Sequence, residues 1–303
     1  MPIYNIQDNN LSLIKKVDFK NERELQRLTE NNLEELFDLK FIASEFQVDN
    51  LRIDTLAFSE ETNSFVIIEY KNTKNYSVID QGYSYLALLL NNRAEFVLKY
   101  NQVLSQNAGK EDFDFSQTRV MFIAPSYTRY QLRSVEFSDI SFELWKVAKF
   151  ANGTVLFDEV NNDNVVASIS QVTNAGSKKQ NVNREVKKLT EYEFFEDKAD
   201  YAIELYNNLK ERILDEFDDI EIGITKYYIV FKVNRKIIAS IVFQSKLLNT
   251  KINAKTLDDH KKLTRDISNI GHWGVGDYEF RINSDDDFDY FLDLFKQSYD
   301  EKV

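Results

Sequence analysis

The 303-residue sequence has no cysteine. That removes thiolate nucleophiles, disulfides and every cysteine-ligated zinc or iron–sulfur centre, and it suits a reducing compartment. Only two histidines, His260 and His272, leave little for imidazole catalysis. With 8 glycines and 2 prolines, collagen-like, linker-dominated and propeller architectures are disfavoured. No apolar run approaches the roughly 18 residues a membrane span needs. The opening Met-Pro-Ile-Tyr-Asn-Ile-Gln-Asp has no basic region followed by an apolar core. The expectation is a cytoplasmic protein with no membrane association. The sequence also lacks a P-loop, a dinucleotide fingerprint and a Gly-x-Ser-x-Gly elbow, so nucleotide-driven and serine chemistry are unsupported.

What is present is apolar and aromatic. A hydrophobic content of 43%, with 23 Phe and 16 Tyr, argues against disorder and supports sizeable cores, most simply in two domains. Thirty-eight basic against 50 acidic side chains give a net charge of -12, which disfavours indiscriminate binding to phosphate backbones. The charge is uneven. Residues 226–265 hold ten cations (Lys226, Lys232, Arg235, Lys236, Lys246, Lys251, Lys255, Lys261, Lys262, Arg265) and only Asp258 and Asp259 as anions. Such a stretch is either a solvated surface or a polyanion-facing patch. Residues 171–190 are poor in large apolar side chains and rich in Asn, Ser and Lys, so they cannot offset their ordering entropy and read as a linker. The expected division is a first domain over 1–170, the linker, and a second domain over 191–303.

In the first domain, Leu25, Leu28, Leu33, Leu36 and Phe37 recur at helical spacing and predict a helix over 21–37. The period then changes to two, with strands expected over 51–58 and 65–71 around the polar segment 59–64. A helix over 77–92, a strand over 118–124, a helix over 129–137 and strands over 142–147 and 154–157 follow. The order α-β-β-(β)-α-β-α-β-β suits a sheet of mixed pairing. The second domain reads as α+β, with a long helix over 193–217, then strands over 227–233 and 237–243 joined by a tight turn at Asn234-Arg235-Lys236. A strand over 247–252, a helix over 257–267, a strand over 278–282 and a closing helix over 285–299 complete it.

Residues two apart in a strand share a face, so Phe65, Ile67, Glu69 and Lys71 point one way and Val66, Ile68 and Tyr70 the other. Both faces are apolar, and Glu69 breaks the pattern on one of them. Asp54 does the same beside Arg52, Leu56 and Phe58. Burying one unpaired carboxylate is costly and two nearby repel, unless a cation neutralises them. A hard divalent ion answers both costs, and so does a structural ion pair with Arg52 or Lys71; the residues alone leave both readings open.

The spacing Asp54-(x14)-Glu69-Tyr70-Lys71 resembles the PD-(D/E)XK nuclease superfamily. Together with Arg52-Ile53-Asp54, Gln81-Gly82-Tyr83-Ser84-Tyr85 and Asn21-Glu22-Arg23-Glu24-Leu25-Gln26, the match over residues 15–125 is similar to the catalytic domain of NucS-type mismatch endonucleases. Ile53 stands where that pattern often has proline. The resemblance implies a restriction-endonuclease-like mixed-sheet α/β core with flanking helices, followed by a smaller α+β domain. It implies a Mg²⁺- or Mn²⁺-dependent endonuclease acting on DNA, with RNA left open. In that reading Asp54, Glu69 and the carbonyl of Tyr70 hold the ion, and Lys71 orients or deprotonates the attacking water. Gln81 and Tyr85 support the site at helical i,i+4 spacing. The acidic role of the first helix falls on Glu22, with Glu24 and Glu45 as competitors.

Arg52, Lys232, Arg235 and Lys236 are the candidate phosphate-contacting cations. The second half resembles an uncharacterised domain found after such nuclease-like domains, sometimes labelled a predicted transport protein. It is a candidate for nucleic-acid recognition, a protein partner or homodimerisation. Its Gly271-His272-Trp273-Gly274-Val275-Gly276-Asp277 segment reads as a turn needing positive φ, with base stacking as the functional alternative. The rival for the whole chain is a nuclease fold kept as an inactive binding module. A ligand-sensing protein built around that glycine turn is a third reading.

Overall fold

The computed structural model describes residues 2–71, 78–134, 141–160, 189–269 and 274–303. Two compact units divide the chain, residues 1–59 with 63–188, and residues 60–62 with 189–303. Most of the 171–190 segment, together with Gly271, His272 and Trp273, lies outside the described residues.

The first unit opens with an exposed two-stranded ribbon, β1 (Tyr4–Gln7) and β2 (Asn10–Leu13), turned by Asp8 and Asn9 at φ of 49° and 63°. Two positive-φ residues in a two-residue turn match the twist of the flanking strands. Then come β3 (Lys16–Val17), α1 (Glu22–Glu30), α2 (Leu33–Phe37), β4 (Lys40–Val48), β5 (Leu51–Ser59), β6 (Ser64–Tyr70), α3 (Val78–Asn91), α4 (Arg93–Leu104), β7 (Arg119–Ala124), α5 (Arg129–Ser134), β8 (Phe142–Phe150) and β9 (Val155–Glu159). The sheet runs β3-β8-β7-β6-β5-β4, with β9 also paired to β8. Pairing is antiparallel through β4, β5 and β6 and parallel through β6, β7 and β8.

All seven residues of β6 are buried, because helices cover both faces of the strand. Phe65 and Ile67 pack with Leu86 and Leu89 of α3 and Phe96 of α4. Val66, Ile68 and Tyr70 pack with Leu25 of α1 and Leu33 and Phe37 of α2. Each such side chain contributes roughly 1.5–3 kcal/mol on full burial. The result is a mixed-sheet α/β core with flanking helices, as expected for the first domain. Within α3, a Cβ at Gly82 would lie 2.5 Å from the Phe142 ring, so glycine is what lets this helix lie against β8.

The helix expected over 21–37 is two helices. Asn31 and Asn32 stand between them, and the Asn32 side chain donates to the Leu28 carbonyl at 2.7 Å, a local bond that competes with the helical ladder. β4 and α4 were not legible from periodicity.

The second unit holds α6 (Glu191–Phe195), α7 (Asp200–Glu216), β10 (Glu221–Ile224), β11 (Ile229–Val233), β12 (Lys236–Gln244), β13 (Leu247–Ile252), β14 (Arg265–Asp266), β15 (Tyr278–Ile282) and α8 (Phe288–Asp300). Its antiparallel sheet runs β10-β11-β12-β13-β15-β14. Tyr206 and Leu209 of α7 and Phe291 and Phe295 of α8 pack against Ile229, Phe231 and Leu248. The single helix expected over 193–217 is divided. Thr190 and Glu193 form a reciprocal cap on α6, and Phe194 and Phe195 turn back onto Phe243, Phe195 also meeting Tyr206 of α7.

The helix expected over 257–267 is absent. Asp259 accepts the N–H groups of Leu263 and Thr264 at 3.1 and 2.7 Å, satisfying locally the donors a helix would have given to its carbonyls, and Lys262 sits at φ 55°. Asn234 and Arg235, at φ 49° and 66°, make the tight turn between β11 and β12.

Candidate active site

The antiparallel register of β5 and β6 pairs Thr55 with Ile68, which sets the next residues, Asp54 and Glu69, opposite each other. On the other side, β4 pairs Ser44 with Thr55 and Phe46 with Ile53, so Glu45 is opposite Asp54. Three adjacent strands thus carry carboxylates in one row. Glu45 has φ 52° in mid-strand, and its Oε2 is 2.9 Å from Nε of Arg52.

Glu69 is only 4% exposed and is fully engaged. Its Oε1 accepts from Lys71 Nζ at 2.6 Å and from Gln81 Nε2 at 2.7 Å, while Oε2 lies 2.7 Å from the Tyr85 hydroxyl. Gln81 Nε2 and the Tyr85 hydroxyl are 3.1 Å apart, as their i,i+4 spacing on α3 allows. The Tyr85 hydroxyl also lies 3.1 Å from the Arg52 carbonyl, linking α3 to β5. Burial and the neighbouring Glu69 charge push the Tyr85 phenol well above its ordinary value, so it remains a donor.

Asp54 is half-buried and accepts the Tyr70 N–H through Oδ2 at 3.2 Å; its Oδ1 accepts no hydrogen bond from the described residues. Burial, then the charge of Glu69, push its carboxyl up to about 7, with Glu45 adding to the rise and the Tyr70 N–H and Lys71 opposing it. Negative charge at this row is therefore under-compensated by the protein itself. Two facing carboxylates, one with an open oxygen, form a hard-oxygen donor set suited to Mg²⁺ or Mn²⁺. Among the described residues no cluster of three acidic or imidazole groups is preformed as a metal cage, so a bound ion would complete its shell with a backbone carbonyl, water or substrate.

The structure brings Asp54, Glu69, Tyr70, Lys71, Gln81 and Tyr85 together. Glu22 stands exposed on the first turn of α1. The α1 groups placed against β5 come one and two turns later. Gln26 Nε2 donates to the Asp54 carbonyl at 2.8 Å and lies 3.1 Å from both Ser44 Oγ and Glu30 Oε1, and Glu30 accepts from Thr55 Oγ1 at 2.7 Å. Glu24 is committed elsewhere, to Lys149 at 2.5 Å and the Lys20 N–H at 2.6 Å. Sequence reading missed Gln26 and Glu30; the available signal was their i,i+4 spacing on the helix face that also carries Glu22.

Of the proposed phosphate-contacting cations, Arg52 is paired with Glu45. Lys232 is half-buried and lies 3.0 Å from Glu61 of the same unit. Arg235 and Lys236 are half-buried at the β11–β12 turn. Among the described residues no helix is long and apolar enough to cross a membrane.

The mixed sheet with its helical layers defines the first unit as an α/β protein whose adjacent strands set two carboxylates face to face. Residues 191–302 match a domain of unknown function (DUF5655). An uncharacterized protein of Haemophilus influenzae is 41% identical over 300 residues, covering 98% of this chain and 99% of that protein. The chain belongs to the family of that protein. Among solved structures it is similar to EndoMS in complex with double-stranded DNA (17% identity, 45% of this chain and 51% of that one, TM-score 0.25). It is also similar to a repair endonuclease from Pyrococcus abyssi (15%, 48% and 65%, TM-score 0.26) and to EndoMS in its apo form (15%, 48% and 64%, TM-score 0.29). The matched part spans between half and two thirds of those chains.

Proposed function

We propose that the first unit is a metal-dependent endonuclease that hydrolyses DNA phosphodiester bonds. The observation that carries this reading is the pairing of Asp54 with Glu69 across β5 and β6, with Lys71 one strand step beyond and in contact with Glu69. The motif resemblance supplies the substrate class.

Asp54, Glu69 and the Tyr70 carbonyl would hold Mg²⁺ or Mn²⁺. The bound ion supplies polarisation of a phosphoryl oxygen and a lowered pKa for coordinated water. The remaining roles belong to side chains. The Tyr70 N–H fixes one oxygen of Asp54. Gln81 and Tyr85 lock the rotamer of Glu69, so that its carboxylate is preorganised. Lys71 places a cation where negative charge gathers on the phosphate during attack, and release of its bond to Glu69 frees it to meet the attacking water.

The test is cleavage of single-stranded, branched and mismatched DNA, and of RNA, with Mg²⁺ or Mn²⁺, by wild type and by Asp54→Asn and Lys71→Met. Cleavage that requires the ion and falls by at least about a hundredfold in both variants supports the reading. Equal rates in wild type and Asp54→Asn overturn it. Binding of DNA without cleavage of any substrate points instead to an inactive binding module, a reading favoured by the engagement of both Lys71 and Gln81 with one oxygen of Glu69.

A further inference from the structure

The second unit carries an unmatched polar cluster on the sheet face opposite α7 and α8. On β13, Leu248 and Ile252 enter the core beneath those helices, so Asn249 and Lys251 point to the other face. Register places Lys251 beside Ser240 of β12 and Glu279 of β15, and Asn249 beside Val242 and Arg281. Arg265 of β14 is paired with Glu279 in turn.

Two of these side chains are more than nine-tenths buried, and each has a polar group without a hydrogen bond to the described residues. Lys251 is 3% exposed and forms no hydrogen bond or ion pair with the described residues. Asn249 is 8% exposed, and its Oδ1 is buried without a hydrogen bond. The orientation of that amide follows from Glu279. Asn249 Nδ2 lies 3.2 Å from Glu279 Oε2, and Arg281 grips Oε1 at 3.1–3.2 Å. Despite the cost of desolvation, Asn249, Arg281 and the charge of Lys251 hold the Glu279 carboxyl below its ordinary value. A carboxylate only accepts, so the Asn249 NH₂ must face it and Oδ1 is the end left over. Glu279 also acts on Lys251 across the strand pair, but with Arg281 and Asn249 bonded to its oxygens it makes no direct bond to the Lys251 ammonium. Burial holds its ammonium below the usual lysine range.

Natural proteins rarely leave two such groups unmatched side by side. Backbone built around them shows the arrangement is not slack. A Cβ at Gly274, which has φ 93°, would lie 2.5 Å from Ser240 Oγ and 3.1 Å from Lys251 Cδ, and Ser240 is bonded to both the N–H and the carbonyl of Val275 at 2.9 Å. Glycine at 274 therefore makes room for the lysine stem. Glu279 and Arg281 also line a cleft of about 430 Å³ with Arg265, Asn283 and the acidic Asp287, which brings Arg281, the exposed member of the cluster, to solvent; Lys251 and Asn249 lie behind it.

We propose that Lys251, Asn249 and Arg281 form a binding site for a small oxyanion that also carries a hydrogen-bond donor, the chemistry of a protonated phosphate or phosphate monoester. The anionic oxygens answer Lys251 and Arg281, and the P–O–H group answers the orphan carbonyl of Asn249. The site is independent of the carboxylates of the first unit.

The experiment uses the full chain near pH 6.5 at fixed ionic strength, with inorganic phosphate and sulfate compared by calorimetry and by thermal unfolding. Phosphate has a proton to give to Asn249 and sulfate has none, so phosphate is expected to bind about ten- to a hundredfold more tightly. Lys251→Met keeps the length of the side chain without its charge. It should unfold at a higher temperature than wild type in the absence of phosphate, since a buried unpaired ammonium is gone, and lose the phosphate response. Nucleoside monophosphates and short 5′-phosphorylated DNA, added as further arms, separate a free ligand from a nucleic-acid end. No phosphate binding up to tens of millimolar, equal affinity for sulfate, or an unchanged response in Lys251→Met overturns the proposal.

Discussion

Asp54 and Glu69 face each other across an antiparallel strand pair, and only Glu69 has its charge answered by a cation in direct contact. The asymmetry predicts a pH signature. Burial and Glu69 raise the Asp54 carboxyl to about 7 from an ordinary value near 4, so the folded protein holds this proton more tightly than the unfolded chain. The corresponding stability is complete below about pH 4 and is lost as pH rises through about 7. Metal-free protein should therefore lose a component of stability between these values. Asp54→Asn should abolish that component, and millimolar Mg²⁺ or Mn²⁺ should restore stability at pH 8 in wild type alone. Thermal unfolding across the pH range measures all three.

Tyr85→Phe removes the donor to Glu69 Oε2 and leaves a buried carboxylate oxygen unmatched. The expected loss is about 1–3 kcal/mol of folding stability in denaturant titration, together with slower cleavage. Were the hydroxyl only filling space, the phenyl ring would serve as well and both quantities would hold.

Gly82→Ala forces a methyl into the Phe142 ring 2.5 Å away. The helix gains intrinsic propensity from alanine, about 1 kcal/mol, but overpacking costs about 1–3 kcal/mol, and we expect the net to be destabilising. Pairing it with Phe142→Leu should recover part of the loss, a coupling that a double-mutant cycle reads directly.

The features legible in the sequence were those with a strong local period or a chemical anomaly. The hairpin of β5 and β6 announced itself because Asp54 and Glu69 interrupt otherwise apolar faces, and α3 because Tyr83, Leu86 and Leu89 hold a buried stripe. What stayed hidden depends on contacts made at distance. Gln26 and Glu30 look like ordinary polar positions on α1 until the fold sets Thr55 and the Asp54 carbonyl against them. Glu45 gains its meaning from register, which no single strand specifies. Asn249 and Lys251 likewise read as outward-facing positions in a strand, and only the strands and the glycine segment around them make them buried. Residues 257–267 misled through composition, since their leucines and isoleucine suggested a helix while Asp259 captured the N–H groups.

Asp259 therefore anchors a further prediction. Against the cost of desolvation, bonds from Tyr290, Leu263 and Thr264 hold its carboxyl well below the ordinary range. A depressed carboxyl stabilises the fold above its unfolded value near 4 and ceases to do so as pH falls through its folded value. Asp259→Asn should lower the unfolding temperature of the full chain at pH 7, because an amide group meets the three donors of Leu263 and Thr264 with only one oxygen. The difference between variant and wild type should shrink as the pH is brought from 5 toward 2. Backbone amide exchange at Leu263 and Thr264 supplies the local readout, since loss of the acceptor should accelerate both while leaving the amides of β11 and β12 protected. A temperature difference that is constant with pH would mean that the loop is held by Tyr290 packing rather than by the charge.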